Sequence, residues 1–138
     1  MSDVVLDCSA ALPWVFADEA TAATEALLDD LVQGGHAWVP ALWPLEIANV
    51  MLGAQRRGRI DKAGVEKYLA TLKTLEIEVD DDTSSLAWSK ILGLGERYGL
   101  TAYDAAYLEL ALRKGLPLAS LDKNLRQACT DAGGRLAL

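Results

Sequence analysis

The sequence predicts an α/β fold: a mostly parallel sheet covered by helices on both faces. Three observations point there. Five short apolar or alternating runs are separated by helical segments, and two of the runs end on an aspartate. Of the 138 residues, 51% are hydrophobic and 24% charged, enough for one domain that buries about 70% of the surface its unfolded chain exposes. Strands joined through helices make right-handed crossovers and therefore pair in parallel.

The elements follow in order. Val4, Val5 and Leu6 form a β-branched apolar run ending at Asp7, read as a buried first strand, and Ser9 is placed to cap a short helix through Phe16. Ala22, Ala26, Leu27 and Leu31 predict a helix from about Glu19 to Gln33, stopped by Gly34 and Gly35. His36 to Val39 is the second strand. Pro44 and Gly58 bracket a helix from Leu42 to Arg57, and Asp61 caps another that runs to about Lys73. Glu76 to Val79 is the third strand. Thr83 or Ser84 caps a helix containing Leu86, Trp88, Ile91 and Leu94 that ends at Gly99, and Thr101 opens the next, to Lys114. Pro117 to Leu121 is the fourth strand, Asp122 caps the last helix, and Arg135 to Leu138 follows Gly133 and Gly134 as a short fifth strand.

Composition excludes several classes of function. The longest uncharged stretch, Leu31 to Leu45, holds Gly34, Gly35, Pro40 and Pro44 and cannot span a bilayer. The start of the chain has Asp3 and Asp7 where a signal peptide needs a basic lead and an apolar run, which predicts a cytoplasmic protein. Cys8, Cys129 and His36 are the only Cys or His residues, too few for a zinc site, and the two cysteines read as buried small side chains. Any bound metal must be held by oxygen.

Four acids stand where a purely structural role is strained. Asp7 is delivered to the carboxyl edge of the sheet, where ligand crevices of such folds lie, although an Asx-turn or a cap would also place an aspartate there. Glu46 sits among Leu45, Ile47, Ala48, Val50, Met51 and Leu52, a helix apolar all round and so expected to be buried. A carboxylate there needs a metal, a distant cation or a water-filled cleft. Asp104 follows Thr101 at capping-box spacing, and Asp122 can cap the helix at Lys123. Separate caps do not explain why one crevice can collect all four. Carboxylates gathered together repel and would protonate unless a cation is present. All-oxygen ligation suits Mg²⁺ or Mn²⁺, and the reaction it implies is metal-assisted phosphodiester hydrolysis. Ser9 and Ser120 can donate hydrogen bonds to these carboxylates or to water, or serve in a cap or turn.

Val-Leu-Asp-Cys-Ser at 5–9, Pro-Leu-Glu-Ile-Ala-Asn at 44–49, Leu-Thr-Ala-Tyr-Asp-Ala-Ala-Tyr at 100–107 and Leu-Ala-Ser-Leu-Asp-Lys-Asn-Leu at 118–125 together resemble the PIN-domain family, most of all its VapC-type toxins. The resemblance covers essentially the whole chain. It implies a single PIN-like domain over residues 1–138, in three layers, with a five-stranded parallel sheet of order 3-2-1-4-5. It also implies endoribonuclease activity dependent on Mg²⁺ or Mn²⁺. The family's acids carry over to Asp7, Glu46, Asp104 and Asp122 as catalytic and metal-binding residues, with Ser9 and Ser120 as the matching hydroxyls beside the first and last. A homodimer and a VapB-type antitoxin are the partners it implies.

The net charge of −7 weighs against an RNA substrate, since such enzymes usually carry a basic footprint. Two divalent ions would bring −7 to −3. Arg56, Arg57, Arg59 and Lys62 form the densest basic cluster, and Lys123 and Arg126 lie beside Asp122; each group could contact phosphate or be solvated. Tyr103 and Tyr107, which flank Asp104, read as interface aromatics, and the tryptophans as core or interface residues. Two alternatives stay open. One is a Mg²⁺-dependent phosphoacceptor or phosphatase domain, although the first strand ends Asp-Cys-Ser without the paired acids such domains use. The other is a non-catalytic interaction module whose acids are only caps.

Overall fold

Val4, Val5 and Leu6 are buried, so the first strand has to run through the middle of the sheet. The structure, a computed structural model, describes residues 2–138. In it β1 (Asp3–Leu6) pairs in parallel with β2 (His36–Val39) on one side and β4 (Leu118–Ala119) on the other, and β3 (Glu76–Val79) pairs with β2. The order is β3-β2-β1-β4. The expected fifth strand, Arg135 to Leu138, is reduced to one bridge between Leu118 and Leu136, with Leu118 N–H bonded to the Arg135 carbonyl and Ala137 N–H to the Leu118 carbonyl. Its only neighbour, β4, is two residues long, so one residue is all it can pair with.

The helices are α1 (Cys8–Ala11), α2 (Ala22–Val32), α3 (Trp43–Arg56), α4 (Lys62–Thr74), α5 (Thr83–Leu86), α6 (Leu92–Tyr98), α7 (Ala102–Lys114) and α8 (Lys123–Asp131). No helix among the described residues is long and apolar enough to cross a membrane. Several starts differ from the sequence reading. Ser9 lies inside α1 and caps nothing; its hydroxyl turns back to Asp7. α2 begins at Ala22 rather than Glu19, because Thr21 and Thr24 form a reciprocal capping box, and Ala17–Glu19 is a separate 3-10 turn. Thr83 is likewise inside its helix, where its hydroxyl accepts from Ala41 N–H and ties the loop before α3 to α5. A π-helical turn (Ala87–Ile91) joins α5 to α6, and Gly99, at φ +66°, lets the chain leave α6.

α3 is not buried all round. Trp43, Ile47, Met51 and Ala54 form one inward stripe, and the apolar residues outside it are left facing out, with Leu45 74% and Leu52 47% exposed. α7 is the helix most deeply enclosed: Ala105 to Ala111 are all buried, and it packs on β1 and β4.

α7 is also anchored by charge. Its Arg113 donates to Glu109 one turn back (Nε to Oε2, 2.8 Å) and to Asp80 just beyond β3 (Nη2 to Oδ2, 2.7 Å), and both carboxylates are buried. Burial alone would raise the Asp80 pKa, but the Arg113 hydrogen bonds and charge outweigh it and hold the carboxyl below its ordinary value. Removing one partner of a buried ion network leaves the others uncompensated, at a cost of about 3 kcal/mol or more. Arg113→Ala should therefore lose about 3 kcal/mol by urea denaturation at pH 7. The Asp80 share is present above the unfolded pKa and is lost as pH falls through the lower folded value, so the gap between variant and parent should shrink below about pH 4. Equal stability at neutral pH would contradict this role for Arg113.

Candidate active site: four carboxylates at the sheet edge

Asp7 leaves β1 at its carboxyl end, with its N–H bonded to the Ala119 carbonyl of β4 (2.9 Å), and its side chain is buried. Two hydroxyls donate to the same oxygen, Oδ2: Ser9 Oγ at 2.6 Å and Ser120 Oγ at 2.7 Å. Each serine in turn accepts a backbone N–H from the β4–α8 turn, Leu121 onto Ser9 (2.8 Å) and Asp122 onto Ser120 (3.0 Å). Backbone amides can only donate, so both hydroxyl protons are directed at Asp7. Burial still raises the Asp7 pKa, against the two serines and the Cys8 backbone that lower it and with the Asp122 charge adding to the rise.

Glu46 sits in the first turn of α3, half-buried, and accepts a short hydrogen bond at Oε1 from the Tyr107 hydroxyl. Burial raises its pKa, Tyr107 opposes the rise, and the charges of Asp7 and Asp104 add to it. Asp104 stands in the first turn of α7 and is also half-buried. Only half of the expected capping box forms: Asp104 N–H bonds to Thr101 Oγ1 (3.1 Å), while the Asp104 carboxylate has no hydrogen-bond partner among the described residues. Its pKa is raised by burial, then by Asp122 and Asp7. Asp122 does cap α8, accepting from Leu125 N–H at 2.8 Å.

Each of the four acids named from the sequence therefore lies within electrostatic reach of at least two of the others. No Lys or Arg pairs with any of them among the described residues. As their side chains stand, no three acidic, imidazole or thiol groups among the described residues converge closely enough to hold an ion. Cys8 lies beside them, but burial and the charges of Glu46 and Asp7 push its thiol up to about 12, so it stays protonated. Both cysteines are free and buried.

Tyr107 is the residue the sequence reading misplaced. Tyr103 is 66% exposed and fits an interface role, whereas Tyr107 is 0% exposed and meets Glu46. The signal was present: a tyrosine inside a run of buried alanines and leucines needs a partner for its hydroxyl, and Glu46 needed a donor. The basic cluster is also thinner than expected. Arg59 donates to Asp18 and Glu19, both at 2.8 Å, with its guanidinium 3.9 Å from the Phe16 ring centroid. Arg126 donates to the Ser120 carbonyl (3.0 Å), which holds the turn carrying Asp122. Arg56, Arg57, Lys62 and Lys123 remain exposed.

Comparison with known proteins bears on the family and the fold. The family model of the PIN domain matches residues 4–130. No curated protein sequence matches. Among solved structures, PAE2754 from Pyrobaculum aerophilum superposes with a TM-score of 0.68 at 22% identity, covering 93% of this chain and 87% of that one. FitAcB from Neisseria gonorrhoeae gives 0.61 at 16% identity, with 96% and 95% covered. VapBC2 from Rickettsia felis, bound to a DNA fragment from their promoter, gives 0.59 at 14% identity, with 92% of each covered. At these identities the likeness is one of fold.

The raised acids have a consequence for metal-free protein. Asp7, Glu46 and Asp104 all hold protons more tightly folded than unfolded. Just above the ordinary carboxylate range the native state therefore binds more protons, and stability falls as pH rises through that window. In EDTA the thermal midpoint contributed by this site should drop on going from pH 4 towards 7. Asp104→Asn should flatten the fall and melt higher than the parent at neutral pH. An unchanged slope in the variant would contradict the mutual repulsion.

Proposed function

This chain belongs to the PIN-domain family, a family of nucleases, and from that premise we propose that it is an endoribonuclease dependent on Mg²⁺ or Mn²⁺. Its role is the toxin of a VapBC-type toxin–antitoxin system, acting in the cytoplasm. Asp7, Glu46, Asp104 and Asp122 are the metal-binding and catalytic residues. The observation that carries this reading is that each of four carboxylates feels the charge of at least two of the others with no cation among the described residues to neutralise them, and three have raised pKa values. Such an arrangement opposes folding unless a ligand offsets it, and a hard divalent cation fits a donor set made only of oxygen. When bound, the ion supplies activation of the attacking water and stabilisation of charge on the phosphate and leaving oxygen.

The chain's own residues do the rest. Ser9 and Ser120 fix Asp7 by one oxygen, and neither side chain donates to Oδ1. Thr101 starts α7 so that Asp104 projects from its first turn without being consumed by the cap. Exposed Lys123 is placed one residue from Asp122, where it can take a phosphate of the substrate backbone. The reading in which the acids are only caps accounts for one carboxylate of the four, that of Asp122. A phosphoacceptor reading requires Asp7 to attack a phosphorus atom, for which a buried carboxylate pinned by two hydroxyls is poorly suited.

Purified protein should cut fragments from a panel of structured tRNA and rRNA in Mg²⁺ or Mn²⁺ and not in EDTA. Asp7→Asn and Asp104→Asn should each fall by at least about a hundredfold while folding normally, the scale expected for losing several kcal/mol of charge stabilisation. Full metal-dependent cleavage by both variants would remove the site assignment.

The partners we assign are a VapB-type antitoxin and a second copy of this chain. The first is supported by the company the fold keeps: a toxin–antitoxin complex from Klebsiella pneumoniae is among the structures similar to it, at a TM-score of 0.58. The second is supported by surface chemistry. Leu45 and Leu52 stand seven residues apart on the outward side of α3, and Trp88 is 93% exposed, apolar surface that association would cover. Sedimentation at micromolar concentration should give a dimer, and Leu45→Glu with Leu52→Glu should give a folded monomer. A dimer unaffected by both substitutions would place the interface elsewhere.

A further inference from the structure

Tyr107 is completely buried, and its one polar side-chain atom reaches Glu46. Tyr107 belongs to the main hydrophobic core, as do Leu108, Leu110 and Ala111 of the same helix, so its ring is held by packing. A phenol has two side-chain torsions and a glutamate three, and here the rigid partner donates to the flexible one. Asp104 and Tyr107 are three residues apart on one helix and so share a face. α7 thus presents towards α3 both a carboxylate of its own and the hydroxyl that grips the carboxylate of its neighbour.

We infer that Tyr107 is a positioning residue for the metal site: its hydroxyl fixes the Glu46 side chain by Oε1 and leaves Oε2 free to take a divalent cation. The inference rests on the four-carboxylate reading above. The hydrogen-bond pattern supports it. Tyr107 contacts only Oε1, and no other donor among the described residues reaches either oxygen of Glu46. Asp7 is treated the same way, with both serine hydroxyls on Oδ2. In each case one oxygen is committed to a buried or half-buried hydroxyl and the other receives no side-chain donor. Groups that orient a metal ligand in this manner typically change metal affinity by 10–100-fold when removed. A merely space-filling tyrosine would lose nothing in affinity on conversion to phenylalanine, since the ring stays.

The test is Mn²⁺ titration by calorimetry of four proteins: the parent, Tyr107→Phe, Glu46→Gln and the double variant, each checked for cooperative unfolding. Tyr107→Phe should weaken Mn²⁺ binding by about 10–100-fold where Glu46 is present, and should change affinity less than about twofold in the Glu46→Gln background, because the group it positions is already gone. Wild-type affinity in Tyr107→Phe overturns the inference, as does an equal loss in both backgrounds, which marks a general effect on the fold. If Tyr107→Phe does not fold, Glu46→Asp tests the same contact: it keeps the charge, withdraws the carboxylate from the hydroxyl by one methylene, and should show a comparable loss. A parent that binds no Mn²⁺ defeats the four-carboxylate reading itself and the role of Tyr107 with it, an outcome distinct from a binding parent with an indifferent Tyr107→Phe.

Discussion

A carboxylate buried at the end of the central strand is the constraint around which this molecule is organised. Asp7 cannot leave β1, whose apolar residues are fixed in the middle of the sheet, and it cannot be solvated where it stands. Ser9 and Ser120 answer that need, and because each also accepts an amide of the β4–α8 turn, the same four bonds join the end of β1, α1, β4 and the start of α8. Hydrogen bonds to a charged group contribute roughly 1.5–3 kcal/mol each. The place of Asp122, at the head of α8, follows from the solution to the problem of Asp7.

α7 balances two opposite electrostatic situations along one helix. At its start Asp104 is among like charges and holds its proton more tightly than usual. At its end Arg113 joins Glu109 and Asp80, two buried carboxylates with an excellent partner. The anchor at the end stabilises the placement of a helix whose beginning is under repulsion. This division suits the metal site proposed above: a scaffold stable without the ion and a cluster that the ion would relieve.

Much of this was legible in the chain. β2 and β3 fall on the residues the sequence reading assigns to them, and Thr101, Asp61 and Asp122 cap the helices their spacing marks. What local pattern could not show is choice between equally good local partners. Ser9 and Thr83 look like caps, yet their hydroxyls are claimed by groups brought near only by the fold, Asp7 with the Leu121 amide and the Ala41 amide respectively. The fifth strand failed because its length depends on β4, whose extent no local rule sets. The outward apolar residues of α3 made the helix read as buried on every side, since sequence records that they are apolar and not what covers them. Tyr107 and Glu46 each announced an unmet polar need; only the fold, which brings the two side chains together, shows that they meet each other's.

The central claim is that the four carboxylates exist to share a divalent cation. Crystals of the protein soaked in Mn²⁺ and measured at a wavelength where manganese scatters anomalously test it directly. The account predicts an anomalous peak among Asp7, Glu46, Asp104 and Asp122, absent from crystals of Asp104→Asn soaked alike. Manganese bound elsewhere with this cluster empty, or a peak that survives in the variant unchanged, would contradict it.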